Sequence, residues 1–143
     1  MLYFHSLLRT KWDNISKGLQ QPTPNIPYLT SSMVDFCRHL DMHHGIEEAH
    51  IFPVLAKKLP QFKKSGEHSA EHDVMHKALG DLEGYAAYVQ DDPEAWKLDK
   101  AKALCTRLEK ALFPHLAAEE ESIKGSSMKA AGFTPAEVAR IPI

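Results

Sequence analysis

Cysteine is scarce in this sequence, and the two residues present lie far apart in it. Cys37 and Cys105 each fall within an apolar helical pattern, and no Cys-x-x-Cys pair occurs. A disulfide framework needs more thiols than this, and a thiolate zinc site needs them closer together. Both cysteines are therefore predicted to be reduced, buried thiols.

Long apolar runs and an excess of one charge are also missing. No stretch approaches the roughly 20 apolar residues that span a bilayer, and the first segment, MLYFHSLLRTKW, lacks the basic start and cleavage site of a signal peptide. The net charge of −2 is spread along the chain, so no basic surface is available for nucleic acid or an anionic membrane. We expect a cytoplasmic protein that binds neither.

The alternation typical of strands is missing too, whereas helical spacing of apolar residues is found along most of the chain. We predict four long helices, at about residues 1–18, 31–59, 67–89 and 95–123. A proline-rich loop, QQPTPNIPYLT, separates the first two. Pro53 and Pro114 lie within the second and the fourth helix, where each is expected to cause a bend or a break.

These helices predict an all-α fold around one hydrophobic core. A chain of 143 residues is long enough for one compact domain, so residues 1–143 are assigned to a single domain. Four helices joined by short connections favour an antiparallel up-down four-helix bundle over about residues 3–123. In the tail, residues 124–143, Thr134 and Glu137 have the spacing of a capping box and predict one short extra helix.

Histidine is the unusual residue, with nine in the chain. Three helices each contain two ionisable residues four apart: His43 and Glu47, His72 and His76, and His115 and Glu119. Residues at this spacing point to the same side of a helix, and each pair borders the apolar stripe that faces the bundle interior. His5, on the apolar side of the first helix, is a seventh candidate.

Buried imidazoles and carboxylates are costly unless a metal ion binds them. Seven ligands exceed the four positions of zinc, and they are too rich in nitrogen for calcium or magnesium. They suit two octahedral transition-metal ions that share bridging carboxylates and leave a position for a small molecule. Iron is the first expectation, and manganese or a mixed metal pair is the alternative.

Four segments of the chain carry a family resemblance: FHSLLRTKW, HHGIEEAHIFPVL, EHDVMHKAL and HLAAEEESI. In this order and at these separations they resemble a hemerythrin-like domain of the HHE cation-binding family. The first segment is the weaker match, and the resemblance covers about residues 3–123. It implies a non-haem di-iron centre inside the bundle.

The resemblance also implies how the ligands are divided. One iron would be bound by three histidines and the other by two, with both carboxylates and an oxo or hydroxo group bridging them. The first set is His72, His76 and His115, the second is His5 and His43, and the bridges are Glu47 and Glu119. The iron with fewer histidines would keep an open position for dioxygen or a related ligand.

Some residue choices remain open at this stage. His44 and Glu48 are also four apart and border the same stripe, so they are the alternative to His43 and Glu47, which the following IFP segment favours. Glu120 or Glu121 is the alternative to Glu119. His44 or Glu48 would otherwise orient ligands by hydrogen bonds. The remaining histidines are assigned to the surface or to hydrogen bonds with the ligands: His39, His50 and His68.

The resemblance implies chemistry with small oxygen species. Oxygen-carrying hemerythrins place an aspartate one residue further from its histidine than the four-residue step from His115 to Glu119, which is the pattern of the broader HHE group. We expect a di-iron protein that binds or reduces dioxygen, peroxide or nitric oxide, with oxidoreductase activity left open. The alternatives are an iron or oxygen sensor whose metal-dependent fold regulates a protein partner, a substrate-oxidising oxygenase, and a metal-free helical interaction module.

Overall fold

Helices account for all the regular structure of the chain, and no strand is formed. The computed structural model describes residues 1–143. The long helices are α1 (Leu2–Leu19), α2 (Ile26–Ile46), α4 (Glu67–Asp91) and α5 (Leu98–Ser122). A π-helical turn (Glu47–Ile51) and α3 (Phe52–Leu55) continue α2, and α6 (Gly125–Ala130) and α7 (Pro135–Val138) follow α5. Short 3-10 turns occupy Pro60–Phe62 and Pro93–Ala95.

The four long helices pack as a bundle, which confirms the predicted fold. α1 and α4 each contact both α2 and α5. Their apolar stripes meet in one buried cluster that includes Trp12, Phe36, Met75, Leu82 and Leu108. Burial of such side chains is the main favourable contribution to folding, at about 25 cal/mol per Å² of apolar surface. None of the helices combines the length and the apolarity needed to cross a lipid bilayer.

Helix α2 begins several residues earlier than predicted. The prediction placed its start near Ser31, but the side chain of Asn25 accepts a hydrogen bond from the backbone N–H of Tyr28 and caps the helix at 3.1 Å. Pro27 lies in the first turn, where a missing N–H costs nothing. The end of the proline-rich segment therefore forms the first turn of α2, and the loop between α1 and α2 is shorter than predicted.

The break predicted at Pro53 takes the form of a widened turn. The backbone N–H of Phe52 donates to the carbonyl of Glu47, five residues back. Proline has no N–H to continue the α-helical pattern, and π-helical turns are frequent at functional sites. Pro114, by contrast, lies inside the uninterrupted helix α5.

The C-terminal segment packs on one end of the bundle. Phe133 and Ile141 join Phe52 and Phe62 in a second buried cluster. The predicted capping box at the start of α7 is present, whereas α6 was not predicted. Lys58 fastens this segment by donating to the carbonyl of Gly132, whose φ of 83° suits glycine.

Candidate metal centre

Six of the seven predicted ligands lie together inside the bundle, brought there by all four long helices and the π-helical turn. Each is at most 2 % exposed. They are His5 in α1, His43 in α2, Glu47 in the π-helical turn, His72 in α4, and His115 and Glu119 in α5. Each of these side chains lies on the apolar stripe of its own segment, so the packing that forms the core also buries the ionisable groups.

The carboxylate of Glu47 lies between two groups of imidazoles. Its Oε1 atom is 3.0 Å from Nε2 of His43 and 3.7 Å from Nε2 of His5. Its Oε2 atom is 3.6 Å from Nε2 of His72. The two oxygens of this one side chain therefore face histidines of different helices.

The carboxylate of Glu119 is placed in the same way from the opposite helix. Its Oε2 atom is 3.4 Å from Nε2 of His5. Its Oε1 atom is 3.3 Å from Nε2 of His115 and 3.8 Å from Nε2 of His72. Each of the two carboxylates thus has one oxygen toward His5 and the other toward His72.

The spacing of the donor atoms fits metal ions. Two sets of four residues have ligand atoms that all lie within 4.8 Å of one another: His5, His43, Glu47 and Glu119, and His44, Glu47, His72 and His115. The Nε2 atoms of His72 and His115 are 3.1 Å apart. Two nitrogens bound at right angles to one ion, each at about 2.1 Å, would lie about 3 Å apart.

Many buried polar atoms of the site lack a hydrogen-bond partner within the protein. Several buried side-chain polar atoms of the protein make no hydrogen bond of acceptable geometry. All of them belong to this site except the indole nitrogen of Trp12. These site atoms are Nε2 of His5 and His43, both ring nitrogens of His44, and both oxygens of Glu47 and Glu119. Buried polar groups are normally satisfied. Cations bound by these nitrogen and carboxylate atoms would satisfy the Nε2 atoms of His5 and His43, the four carboxylate oxygens and one ring nitrogen of His44.

Neighbouring groups of opposite charge shift the pKa values of the buried side chains in this site. Burial alone would lower the pKa of His5, but the neighbouring carboxylates of Glu119 and Glu47 outweigh it and raise that pKa to about 9. For His115, burial likewise lowers the pKa, but Glu119 outweighs it and the net shift is upward. Burial opposes the charge of Glu47 as well, yet His43 and His5 hold the pKa of this carboxyl well below its usual range. The carboxylates thus favour the charged form of both imidazoles, and the imidazoles favour the charged form of Glu47.

Burial has the opposite outcome for two other imidazoles. The pKa of His44 is lowered far below its usual value, first by burial and then by the neighbouring His72. The pKa of His72 is lowered by burial. Both rings are thus neutral, which is the form in which histidine binds metals.

The structure does not place His76 in this group. Its side chain is 41 % exposed, and its Nδ1 atom lies 3.3 Å from Oδ1 of Asp41 at the surface. The buried face of α4 continues from Leu79 and Met75 to His72 and His68. A helix turns about 100° per residue, so His76 lies beside this face rather than on it.

His44 and His68 are buried at the site instead. His44 is fully buried, and its ring stacks on that of His72, with centroids 3.9 Å apart and planes 18° apart. Two stacked rings do not both direct a lone pair at one ion. A ring nitrogen of His68 lies within 4.8 Å of a ring nitrogen of His115 and a carboxylate oxygen of Glu119. The ring of His68 already contacts two other polar groups, Glu71 and Ser122.

The sequence contained a signal for both residues. His72 lies three residues before Met75 and seven before Leu79, and His68 lies four residues before His72, so both are on one continuous apolar stripe of α4. His44 follows Leu40 by about one turn of α2. The apolar stripe of a helix therefore indicates its buried histidines better than a four-residue spacing alone. The residues that support the ligands from outside, Glu71 and Glu120, were not assigned that role from the sequence.

Comparison with known proteins gives one match. A family model described as the hemerythrin HHE cation binding domain matches residues 4–125. No curated protein and no solved structure matches the chain. The matched range contains all the buried histidines and glutamates of the site, and their clusters are consistent with a metal site.

Proposed function

This chain belongs to the family of hemerythrin HHE cation binding domains, and we propose that it is a non-haem di-iron protein that binds or reduces dioxygen, peroxide or nitric oxide. The single observation that carries the proposal is the orientation of Glu47 and Glu119. Each has one oxygen toward His5 and the other toward His72. Carboxylates in this orientation suit two neighbouring ions that share them as bridges.

His5 and His43 would hold the first metal ion, and His72 and His115 the second, with both carboxylates shared. His44 is the third imidazole of the second position, because both of its ring nitrogens lack other partners. Its ring must turn out of the stack with His72 when an ion binds. His44 thus takes the place that the family resemblance implied for His76.

Nitrogen and carboxylate ligands in these numbers favour iron, with manganese or a mixed pair as the alternative. When bound, iron supplies a redox-active site with a coordination position for a small oxygen species. The first position has the fewer protein ligands, four against five, so the proposal places the open coordination site there. An oxo or hydroxo bridge between the ions completes the proposed centre.

Apolar side chains cover both proposed metal positions. The ring of Phe4 stacks on that of His43 with centroids 5.6 Å apart, and Phe52 stacks on His72 at 5.1 Å. With Met1, which is 5 % exposed, these apolar groups keep bulk water from the ligands. A small uncharged molecule crosses such a layer more easily than an ion does, because it loses less hydration energy.

Stopped-flow spectroscopy tests the proposal. Iron-loaded protein is reduced with dithionite without air and then mixed with dioxygen, hydrogen peroxide or nitric oxide. We expect new charge-transfer absorption with at least one of them, in the wild type and in the His76→Ala control. Protein that holds two irons and whose spectrum changes with none of the three would contradict the proposed chemistry.

A second function, a metal sensor, is favoured by the burial of Glu47 and Glu119 among imidazoles from different helices. An ion that binds these side chains only in the folded bundle adds its binding free energy to the free energy of folding. Metal loss would then loosen the bundle and change its surface for a protein partner. Equal protease resistance with and without metal would argue against this role.

A further inference from the structure

Three of the imidazoles proposed as ligands contact a carboxylate through Nδ1, the ring nitrogen that points away from the metal site. Nδ1 of His72 lies 2.7 Å from Oε1 of Glu48. Nδ1 of His115 lies 2.7 Å from Oε2 of Glu71, which also contacts His68 at 3.1 Å. The third pair is Nδ1 of His5 and Oε1 of Glu120, at 2.9 Å. In each ring the other nitrogen, Nε2, faces Glu47 or Glu119.

Each of these carboxylates comes from a different segment than the ligand histidine it contacts, although Glu71 also contacts His68 of its own helix. Glu48, in the π-helical turn, contacts a histidine of α4; Glu71, in α4, contacts one of α5; and Glu120, in α5, contacts one of α1. The contacts therefore form a chain around the bundle. An Nδ1–H that donates to a carboxylate fixes the ring orientation and leaves Nε2 as the metal-binding atom.

One of the three carboxylates differs from the others because it is neutralised. Arg9 donates to both oxygens of Glu120, from Nη1 at 2.6 Å and from Nη2 at 3.2 Å. No lysine or arginine lies within salt-bridge distance of Glu48 or Glu71, whose charged partners are histidines. An anionic partner makes a ligand imidazole a stronger donor, and a bound guanidinium weakens that effect.

We propose that Glu48, Glu71 and Glu120 are positioning residues for the ligand histidines, and that Arg9 makes the two metal positions unequal by neutralising only Glu120. This inference rests on the proposed di-iron function. The position of His72 and His115 has two stronger donors and favours the oxidised ion. The position of His5 and His43 favours the reduced ion, the state in which iron gives electrons to an oxygen species.

Four single variants test this inference: Glu48→Gln, Glu71→Gln, Glu120→Gln and Arg9→Gln. Glu121→Gln is the matched control, because Glu121 neighbours Glu120 but is 65 % exposed and pairs with Lys124. Iron content is measured first, then Fe²⁺ affinity by competition with a chelator, and then the two one-electron steps of a redox titration. Arg9 is 39 % exposed, so its replacement leaves the core intact.

The expected results differ in sign between variants. Each of the three carboxylate variants binds Fe²⁺ about 10- to 100-fold more weakly, whereas Glu121→Gln does not change the affinity. Glu48→Gln and Glu71→Gln raise the potential of one redox step, and Glu120→Gln raises the other. Arg9→Gln lowers the step that Glu120→Gln raises, because it restores the full charge behind His5.

A purely structural role predicts a different pattern. Arg9→Gln and Glu120→Gln would then shift the same step in the same direction, and that result would overturn the inference. Two irons per chain with potentials that none of the variants shifts would overturn it as well, while leaving the di-iron function intact. A wild-type chain that binds no iron would overturn both.

Discussion

The Nε2 atoms of His72 and His115 lie 3.1 Å apart, although the two residues are on different helices, α4 and α5. The two nitrogens are within hydrogen-bond distance of each other. The same separation is that of two neighbouring ligands of one ion. The helix packing thus prepares the site before any ion is bound, because both rings are held from behind by Glu48 and Glu71.

The choice between His44 and His76 can be tested by alanine substitution. His44→Ala is expected to weaken metal binding at the second position by about 100-fold or more, because it removes a ligand. Loss of a residue that only hydrogen-bonds to a ligand already costs up to roughly 100-fold in affinity. His76→Ala is the matched control, since this ring lies four residues from His72 but at the surface. Metal content after gel filtration is the measurement. Metal loss in His76→Ala but not in His44→Ala would contradict the assignment.

Metal removal is expected to lower the melting temperature. A bound ion at about 100 times its Kd stabilises the fold by about 2.7 kcal/mol. For a domain of this size that corresponds to roughly 5–10 °C for each ion. Scanning calorimetry of iron-loaded and chelator-treated protein measures the shift. Identical melting temperatures would show that the buried carboxylates do not depend on metal.

Glu47→Gln is expected to impair both metal positions together. An amide has one oxygen and one nitrogen, so it cannot present an acceptor to both groups of histidines. Both ions should be lost in the same chelator titration, rather than one after the other. Glu121→Gln, which is exposed, serves as the control. Full occupancy of one position in Glu47→Gln would contradict the bridging role.

The two cysteines are expected to be unreactive in the folded protein. Burial raises the pKa of both thiols to about 12, from a usual value near 9. Folding therefore favours the neutral thiol, and the associated stability is present below pH 9 and is lost as the pH rises toward 12. Iodoacetamide at pH 8 should label both residues in urea and neither in native protein. Rapid labelling of native protein would contradict the packing.

Much of the fold follows from apolar periodicity, and most of the site follows with it. His5, His43 and Glu119 lie on the same helix faces as the leucines of the core, so a bundle brings them together. The spacing of His68 and His72 on the stripe of α4 was equally informative. His76 was predicted because its distance from His72 equals one helical turn, but its direction differs from that of the stripe.

Other features depend on contacts that periodicity does not contain. The side chain of Asn25 caps α2 and sets its start. The widened turn from Glu47 to Ile51 is followed by Phe52, which packs against Phe62, and by Pro53. The contacts of Glu71 and Glu120 join different helices, and such contacts are known only once the helices are placed. A glutamate on the polar side of a helical pattern gives no sign of them in the sequence.

The central claim is a pair of iron ions within the bundle, and metal analysis tests it most directly. Protein from iron-supplemented cells is analysed by plasma emission spectroscopy, with its near-ultraviolet and visible spectrum recorded before and after dithionite. The account predicts about two irons per chain and charge-transfer bands that disappear on reduction. One zinc per chain, or no metal at all, would contradict it.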